Sequence, residues 1–374
     1  MMSDGSSRVG DDAASSLLTR NIMNALPVGI PFTRYFKALA VGRGDLRAAH
    51  AYAQGQNWSD SPTVLSTLKA AVAAGSTTDA NGSLFYPQTL VNEFVQALRP
   101  KTILGRLQGV RPVPANCRYV SASSGVTVHW VGEGFPIAVG EMSLVEQTLA
   151  VAKAAGIVCI TRELAQSSDP AAEGMIQADL LAALAKFLDA AFIDPAAAAV
   201  ANTSPASITN GLVPITSSGS SVAAITADLK ALFQVLVDAG ILLISPALIM
   251  RPSTALALAM KRTAADQLAF PEVTVSGGSL FGVPVLVSGN VPGSVSGGSL
   301  IVLVDAAEIV SVEGPVVVDS SQEASLQMRT DPLTGAQQMV SLFASNLVGL
   351  RVVRYANWRA RRPGAVAFID GANY

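Results

Sequence analysis

The sequence is poor in charged and aromatic residues. Of its 374 residues only 14% are charged and 6% are aromatic, whereas half are hydrophobic. An ordinary globular domain carries about a quarter charged residues, so this chain has too little charge to solvate a monomer surface generously. The composition therefore predicts a protein that buries much of its surface against partners.

Long apolar runs and export signals are also missing. A bilayer-spanning helix needs about 20 consecutive apolar residues, and the most apolar stretches here are interrupted by Asp194-Pro195 and by Pro246. The N-terminal residues MMSDGSSRVGDD have neither the basic nor the apolar region of a secretory signal. We therefore expect no membrane association and synthesis as a soluble protein in a cytoplasm.

Residues that serve catalysis or metal binding are scarce. The two cysteines, Cys117 and Cys159, form no Cys-x-x-Cys pair, and neither His50 nor His129 stands in a metal-ligand spacing. The Gly-x-Ser-x-Gly elbow of serine hydrolases is absent. We expect no metal, no cofactor and no enzymatic activity. An α/β enzyme with an unrecognised site is the less favoured alternative.

One glycine-rich stretch, GGSLFGVPVLVSGNVP, raises the question of a phosphate-binding loop. Gly277 and Gly282 have the required separation, but a valine and a proline follow where the loop needs lysine and serine or threonine. The proline also removes a backbone N–H donor. The stretch instead predicts a turn at Gly277 and Gly278, followed by a strand from Val285 to Val287.

Two helices have clear end signals. Ser168-Asp169-Pro170 combines a capping side chain with proline at the first helical position, and the apolar stripe that follows ends at Asp194-Pro195. A second helix is predicted to begin at Thr226 as its cap and to end at Gly240. The first helix, some twenty residues long, is predicted to form a rod of roughly 30 Å.

Residues from Val110 to Ile160 alternate with a period of two, which is typical of extended strands. The glycines and proline near the middle predict a long hairpin with its tip near Ala138. In a symmetric hairpin, Cys117 and Cys159 would then lie near one another.

Charge is distributed unevenly along the chain. The formal net charge is −2, so no global positive field exists for gripping nucleic acid. The hairpin has no lysine or arginine from Tyr119 to Ala152, whereas RVVRYANWRARR near the C-terminus is rich in arginine. Pairing between subunits and a solvated strand face are both favoured over DNA contact for these arginines. The residues concerned are Glu133, Glu141 and Glu146 in the hairpin and Arg351, Arg354, Arg359, Arg361 and Arg362 near the C-terminus.

Several motifs occur in an order that resembles one known family. They are GSLFYPQTLVNEFVQALRPKTILGRL, VHWVGEG, EQTLAVAKAAGIVCITRELAQSS, GGSLFGVPVLVSGNVP, LIVLVDAAEIVSVEGPVVVDSS and RVVRYANWRARRPGAVAFI. From about Phe32 to the C-terminus, the chain is similar to the major capsid proteins of tailed bacteriophages with the Hong Kong 97 fold.

The resemblance implies an α+β, HK97-like capsid fold with an N-arm, an extended E-loop hairpin, a long spine helix, a peripheral (P) domain and an axial (A) domain. The segments it implies are a flexible N-terminal arm (1–31), a helical region with the N-arm (32–108), the E-loop hairpin (109–161), the spine helix with part of the P-domain (162–215), the A-domain (216–335) and the closing P-domain strands (336–374).

The resemblance also implies a function and partners. Copies of the chain would assemble as pentamers and hexamers into an icosahedral shell in the host bacterial cytoplasm, and the shell would enclose double-stranded DNA without sequence specificity. A portal and scaffold or decoration proteins are further expected partners. An encapsulin-like nanocompartment shell of the same fold is the alternative. The expected contacts between subunits are Trp130, Glu133, Phe135, Glu141, Glu146, Arg351, Arg354 and Arg359. The hairpin stretch FPIAVGEMSLVE has no lysine, so the expected shell is not cross-linked through that stretch.

Overall fold

The structure is a computed structural model that describes residues 30–43, 45–56, 58, 62–73, 93–122, 130–131, 144–163, 170–201, 203–294, 297–327, 339–362 and 364–374. The chain divides into two compact units. One comprises Met1–Ala97, Gly156–Leu180 and Val317–Val352, and the other comprises Leu98–Ala155, Leu181–Val316 and Val353–Tyr374. Nearly all of the expected N-terminal arm lies outside the described residues.

Helices dominate the N-terminal part of the first unit. Helix α1 (Ile30–Val41), α2 (Leu46–Gly55) and α3 (Pro62–Ala73) pack on one another, and residues 93–98 are also helical. Gly42 and Arg43 form the break between α1 and α2. Asp45 caps α2 by accepting a hydrogen bond from the Arg47 backbone N–H.

Small and aromatic residues let these helices approach closely. The buried cluster consists of Ala38, Leu39, Ala49, Ala53, Trp58, Val64 and Leu68. The Phe32 ring lies 4.4 Å from that of Phe94 and 5.8 Å from that of Phe36, measured between centroids. The guanidinium of Arg34 lies 5.5 Å from the centre of the Trp58 ring, within cation–π range.

The C-terminal strands of the first unit join this helical cluster. Ser320 donates its hydroxyl to the Leu39 carbonyl at 3.1 Å, and Gln322 donates its amide to the Ala40 carbonyl at 2.6 Å. These two bonds satisfy carbonyls near the end of α1, where a helix leaves acceptors unpaired. Strands β12 (Ser325–Gln327) and β13 (Met339–Ser341) form a small antiparallel ladder in the same unit.

A four-stranded sheet has the order β1-β11-β14-β4, with β1 (Arg111–Pro112), β4 (Ala152–Thr161), β11 (Ile309–Ser321) and β14 (Leu347–Ala360). Strand β1 pairs with β11 in parallel. Gly314 lies in the part of this sheet that belongs to the second unit. A Cβ atom at this position would lie 2.6 Å from the Cβ of Tyr355, so only glycine fits there.

The predicted hairpin has a different register from the symmetric one expected. Strand β2 (Arg118–Ala122) pairs with β3 (Leu144–Thr148) so that Arg118 lies opposite Thr148. The Cys117 carbonyl accepts a hydrogen bond from the Leu149 backbone N–H at 3.4 Å. Cys117 therefore faces Leu149 rather than Cys159 across the ladder, and neither cysteine forms a disulfide.

The long helix occurs where its end signals predict it. Helix α5 spans Pro170–Ile193, and its last residues are followed by Asp194, which accepts a bond from the Ala196 backbone N–H. Towards its C-terminal end α5 buries Leu181, Leu184 and Phe192. The predicted start at Pro170 and the predicted end before Asp194-Pro195 are confirmed, whereas the predicted capping residues Ser168 and Asp169 lie outside the described residues.

A seven-stranded mixed sheet forms the centre of the second unit. Its order is β5-β15-β10-β6-β9-β8-β7, and β10 runs antiparallel to both β15 and β6. The central strands are almost continuously apolar, as expected where both faces are buried. The strands are β5 (Ile215–Thr216), β6 (Pro246–Met250), β7 (Val273–Thr274), β8 (Gly277–Leu280), β9 (Val283–Val287), β10 (Ser299–Asp305) and β15 (Val366–Ala372).

Helices α6 (Val222–Asp238) and α7 (Pro252–Ala259) complete this unit, together with the short helix α4 (Ile103–Arg106) and 3-10 turns at Arg99–Lys101 and Ala306–Glu308. Helix α6 packs on β15 and β5 through Ile225, Leu229, Leu232 and Leu236, which are fully buried. The cap of α6 is Ser221, whose hydroxyl accepts from the Ala224 backbone N–H at 3.2 Å. The expected cap, Thr226, lies inside the helix and bonds back to the Val222 carbonyl.

The glycine-rich stretch is a hairpin whose turn lies later than expected. Gly277 and Gly278 belong to β8, and β8 meets β9 through a two-residue turn formed by Phe281 and Gly282. Gly278 has φ +133° and a Cβ there would lie 2.1 Å from the Glu272 carbonyl oxygen. The glycine is required by this close approach and not by a turn.

Candidate functional site

Three members of the predicted contact set, Glu133, Phe135 and Glu141, lie outside the described residues. Glu146 is on β3 opposite Val120, and Trp130 is fully exposed. An exposed tryptophan leaves a large apolar area in water, which is typical of a surface that binds another protein.

Arg351 lies on β14 in the first unit and has a carboxylate partner in its own chain. Its Nε donates to Asp319 Oδ2 at 3.1 Å, and its Nη2 contacts the same oxygen. Both side chains are about half exposed. This pair therefore lies at the surface, where it remains accessible to a further carboxylate.

Arg354 is buried in the second unit. Its Nη2 lies 3.9 Å from Glu313 Oε1, and its Nη1 has no hydrogen-bond partner among the described residues. Burial lowers the pKa of Arg354, and the Glu313 charge opposes this shift only in part. The residue thus carries a charge that its own chain compensates incompletely.

Glu313 also contacts a second arginine. Arg99 Nη2 donates to Glu313 Oε2 at 2.8 Å, and both side chains are partly exposed. Two guanidinium groups therefore share one carboxylate. Arg359, near the end of β14, is exposed like Arg351.

A second arginine–carboxylate cluster was not identified from the sequence. Glu308 is 2% exposed and accepts bidentate hydrogen bonds from Arg361 and Arg362 at 2.7 to 3.1 Å. Burial alone would raise the pKa of Glu308, but the bonds from Arg362 and Arg361 outweigh it and hold the pKa at about 2. No signal in the sequence links Glu308 to arginines more than fifty positions away.

Asp189 on α5 is a buried carboxylate that connects separate loops of the second unit. It accepts bonds from the Ile103 backbone N–H at 2.7 Å and from the Asn290 amide at 2.9 Å. Burial raises the pKa of Asp189, and hydrogen bonds to Asn290 and Ile103 oppose the shift. Because its acceptor positions are occupied by structural donors, Asp189 orders the loops around α4 and after β9.

Within the described ranges, no group of three His, Cys, Asp or Glu side chains is arranged to hold a metal ion. None of the helices in this part of the chain is both long and apolar enough to cross a membrane. The polar clusters of this part of the chain consist of arginines and carboxylates, whose chemistry suits ion pairing.

Known sequences identify the family. The model of the phage capsid family matches residues 82–371. A capsid polyprotein of Pseudomonas phage PAJU2 is 40% identical over 365 residues, which cover 93% of this chain and 55% of that protein. The chain therefore spans little more than half the length of this relative. A major capsid protein of Klebsiella oxytoca phage phiKO2 is 25% identical over 354 residues, 92% of this chain and 78% of that protein.

Solved structures show the fold. A chain from Mycobacterium phage Ogopogo matches with a TM-score of 0.53 and 20% identity, covering 72% of this chain and 91% of that chain. The capsid of a native GTA particle matches with a TM-score of 0.51 and 15% identity, covering 70% and 88%. The fold is thus the HK97-like capsid fold predicted from the sequence, with mixed helix and sheet. The chain belongs to the phage capsid family.

Proposed function

We propose that the chain is the major capsid protein of a tailed phage or prophage and that its copies assemble into the icosahedral shell of the head. The observation that carries this proposal is the 40% identity, over 93% of the chain, to a capsid polyprotein. That relative is a longer protein, so assembly is proposed for the part of it that this chain matches.

The distribution of apolar side chains supports a protein that covers its surface with other copies. Each unit has large hydrophobic side chains in contact with water. The sequence as a whole is 50% hydrophobic and only 14% charged. Side chains of this kind can be buried when copies of a subunit meet, because interfaces between permanently associated subunits are apolar. Examples are Met175, Met339 and Phe343 in the first unit and Trp130, Val213, Leu242 and Ile244 in the second.

In this proposal the β2–β3 ladder is the base of the E-loop, and α5 is the spine helix. The seven-stranded sheet with α6 and α7 is the A-domain. Because β15 belongs to this sheet, the A-domain includes a strand that the sequence assigned to the closing P-domain segment (336–374), and only β13 and β14 of that segment are assigned to the P-domain.

The acidic hairpin and the C-terminal arginines are proposed to pair between copies. Glu133, Glu141 and Glu146 supply the carboxylates, which accept hydrogen bonds. Arg359 is the preferred donor, because its side chain is exposed, and Arg351 and Arg354 each lie against a carboxylate of their own chain. An additional carboxylate at either of those sites would still be favourable, since each arginine is a planar donor with several N–H groups.

The remaining partners follow from the same function. Packaged double-stranded DNA is proposed to contact the inner wall without sequence preference, and the near-neutral charge of the subunit keeps this contact weak. A portal and scaffold or decoration proteins complete the head, which is proposed to assemble in the bacterial cytoplasm. The nanocompartment alternative is less favoured because both curated relatives are phage proteins.

Electron microscopy of the chain expressed alone tests the proposed shell. Uniform closed particles are the expected result, and a chain that remains a small monomer at every concentration would overturn the proposal.

Charge reversal tests the proposed pairing between copies. Arg359→Glu should abolish particles while leaving the thermal unfolding temperature unchanged. Glu133→Arg, Glu141→Arg or Glu146→Arg should restore particles in the Arg359→Glu background. Arg47→Glu, an exposed reversal on α2, is the matched control and should still assemble. Normal particles from Arg359→Glu would contradict the pairing.

A further inference from the structure

The turn between β8 and β9 places a bulky residue where the backbone disfavours it. Phe281 has φ +53° and Gly282 has φ +78°, and the two residues connect paired Leu280 and Val283. Positive φ at both central positions defines a type I′ turn, for which Asn-Gly is strongly preferred. A phenylalanine there is strained because its Cβ crowds the backbone.

Burial within the chain does not compensate this strain. The Phe281 side chain is 60% exposed, although its ring contacts that of Phe270 edge-on with centroids 6.3 Å apart. An exposed aromatic at a strained position suggests a use outside the subunit, since strain is retained mainly where function requires it.

Phe281 borders a large apolar groove in the second unit. The groove has a volume of about 600 Å³, and Val237 on its wall is half exposed. Among the described residues that line it, Lys230 is the only charged one. The apolar part of the lining is Phe233, Val237, Leu243, Pro246, Phe281 and Val283.

Phe281 also borders a second groove, which carries the opposite charge. This groove has a volume of about 220 Å³ and is lined by Phe270, Pro271 and Ser279. Glu272 is the only charged residue among its described lining residues, and its carboxylate accepts a hydrogen bond from the Ser279 hydroxyl. Both Lys230 and Glu272 are exposed.

We propose that the Phe281 turn is a head-to-tail contact between two copies of this chain. The face with Glu272 on one copy binds the Lys230 groove of the next, so that one ion pair and the aromatic turn are buried together. A contact between two different faces of the same chain is heterologous, and repetition of it produces a ring where the rotation closes. This inference rests on the proposed function, because it names a surface through which shell subunits meet.

A charge-swap experiment on the full chain tests the contact. Lys230→Glu and Glu272→Lys each place like charges opposite one another in this contact. Each variant should raise the protein concentration needed for particle formation by about threefold to tenfold. The double variant Lys230→Glu/Glu272→Lys should return it to within about twofold of the unmodified chain, because the pair is restored with its direction reversed.

Light scattering during assembly gives the readout, and two failures are distinguishable. If the unmodified chain forms particles and both single variants assemble at the same concentration as it does, the head-to-tail contact is wrong and the proposed function stands. The same conclusion follows if the double variant needs as high a concentration as the worse single variant. Absence of particles from the unmodified chain would instead overturn the proposed function.

Replacing the aromatic separates assembly from folding. Phe281→Asn provides the residue that a type I′ turn prefers, so the melting temperature should stay the same or rise while particle formation is lost. Phe281→Leu keeps an apolar side chain and should retain assembly. Normal assembly of Phe281→Asn would contradict the proposal.

Discussion

Glu308 and Glu313 lie five residues apart in the sequence, and each contacts two arginines of the second unit, but their surroundings differ. Glu308 is buried and receives hydrogen bonds from both Arg361 and Arg362 at no more than 3.1 Å. Glu313 is partly exposed, bonds Arg99 at 2.8 Å and lies 3.9 Å from Arg354.

The difference separates a completed ion cluster from an open one. At Glu308 every strong charge has a close partner inside the chain, so the cluster supports the fold. At Glu313 the buried Arg354 lies 3.9 Å from the carboxylate, and its Nη1 has no hydrogen-bond partner among the described residues. Arginine-rich sequence alone therefore does not indicate a binding surface, because geometry decides which arginines remain available.

The largest effect is expected from removing the carboxylate of the completed cluster. Glu308→Gln leaves Arg361 and Arg362 without their counter-charge, and breaking a buried pair in this way costs about 2–4 kcal/mol in free energy of unfolding when the arginines are partly solvated. Urea denaturation followed by circular dichroism measures the change. A loss below about 1 kcal/mol would show that the cluster is not a structural ion pair.

Lowering the pH should reduce the difference in unfolding free energy between the unmodified chain and Glu308→Gln. The folded-state pKa of Glu308 is about 2, below its ordinary value of 4.5. Its stabilising contribution is therefore complete above the ordinary value and is lost as pH falls towards the folded pKa. The stability gap between the unmodified chain and Glu308→Gln should be constant near neutral pH and should shrink below about pH 4.5. A gap that widens in acid would contradict the assignment.

Matched arginine substitutions compare the two clusters directly. Arg361→Met removes charge-assisted bonds to a buried carboxylate and should cost about 1–2 kcal/mol in free energy of unfolding. Arg354→Met removes a buried, incompletely paired charge and should change it by less than about 1 kcal/mol in either direction, because an apolar side chain needs no partner. Equal destabilisation by both variants would remove the distinction between the clusters.

The smallest effect is expected at the exposed edge of the open cluster. Arg99→Ala breaks an ion pair whose arginine is more than half exposed, so the expected cost is about 0–1 kcal/mol. Raising the salt concentration should reduce this cost further, because exposed pairs are screened. A larger, salt-independent cost would mean that Arg99 belongs to the core of the unit.

Features of the fold with local causes were predictable from the sequence. The start of α5 at Pro170 and its end before Asp194-Pro195 follow from the sequence, because proline acts on the adjacent backbone. The order of motifs indicated the HK97-like fold, which the structural comparisons confirm.

Features set by distant pairing were not predictable. The β2–β3 register places Cys117 opposite Leu149. This register depends on contacts between the two strands, which cannot be found by counting residues outward from the expected hairpin tip. The sequence predicts a turn at Gly278. The actual reason for a glycine there is the close approach of the Glu272 carbonyl, which exists only in the folded ladder. Periodicity placed Arg354 on a strand but could not show that its guanidinium is buried.

The position of β15 in the seven-stranded sheet also has a consequence for biosynthesis. This strand, Val366–Ala372, lies between β5 and β10, so these two earlier strands are joined in the sheet only through it. A nascent chain that has emerged only as far as residue 360 contains β6, β9 and β10, with one side of β10 still unpaired. Because an unpaired strand edge is a site for misassociation, ordered assembly of the subunit must wait until β15 has emerged from the ribosome.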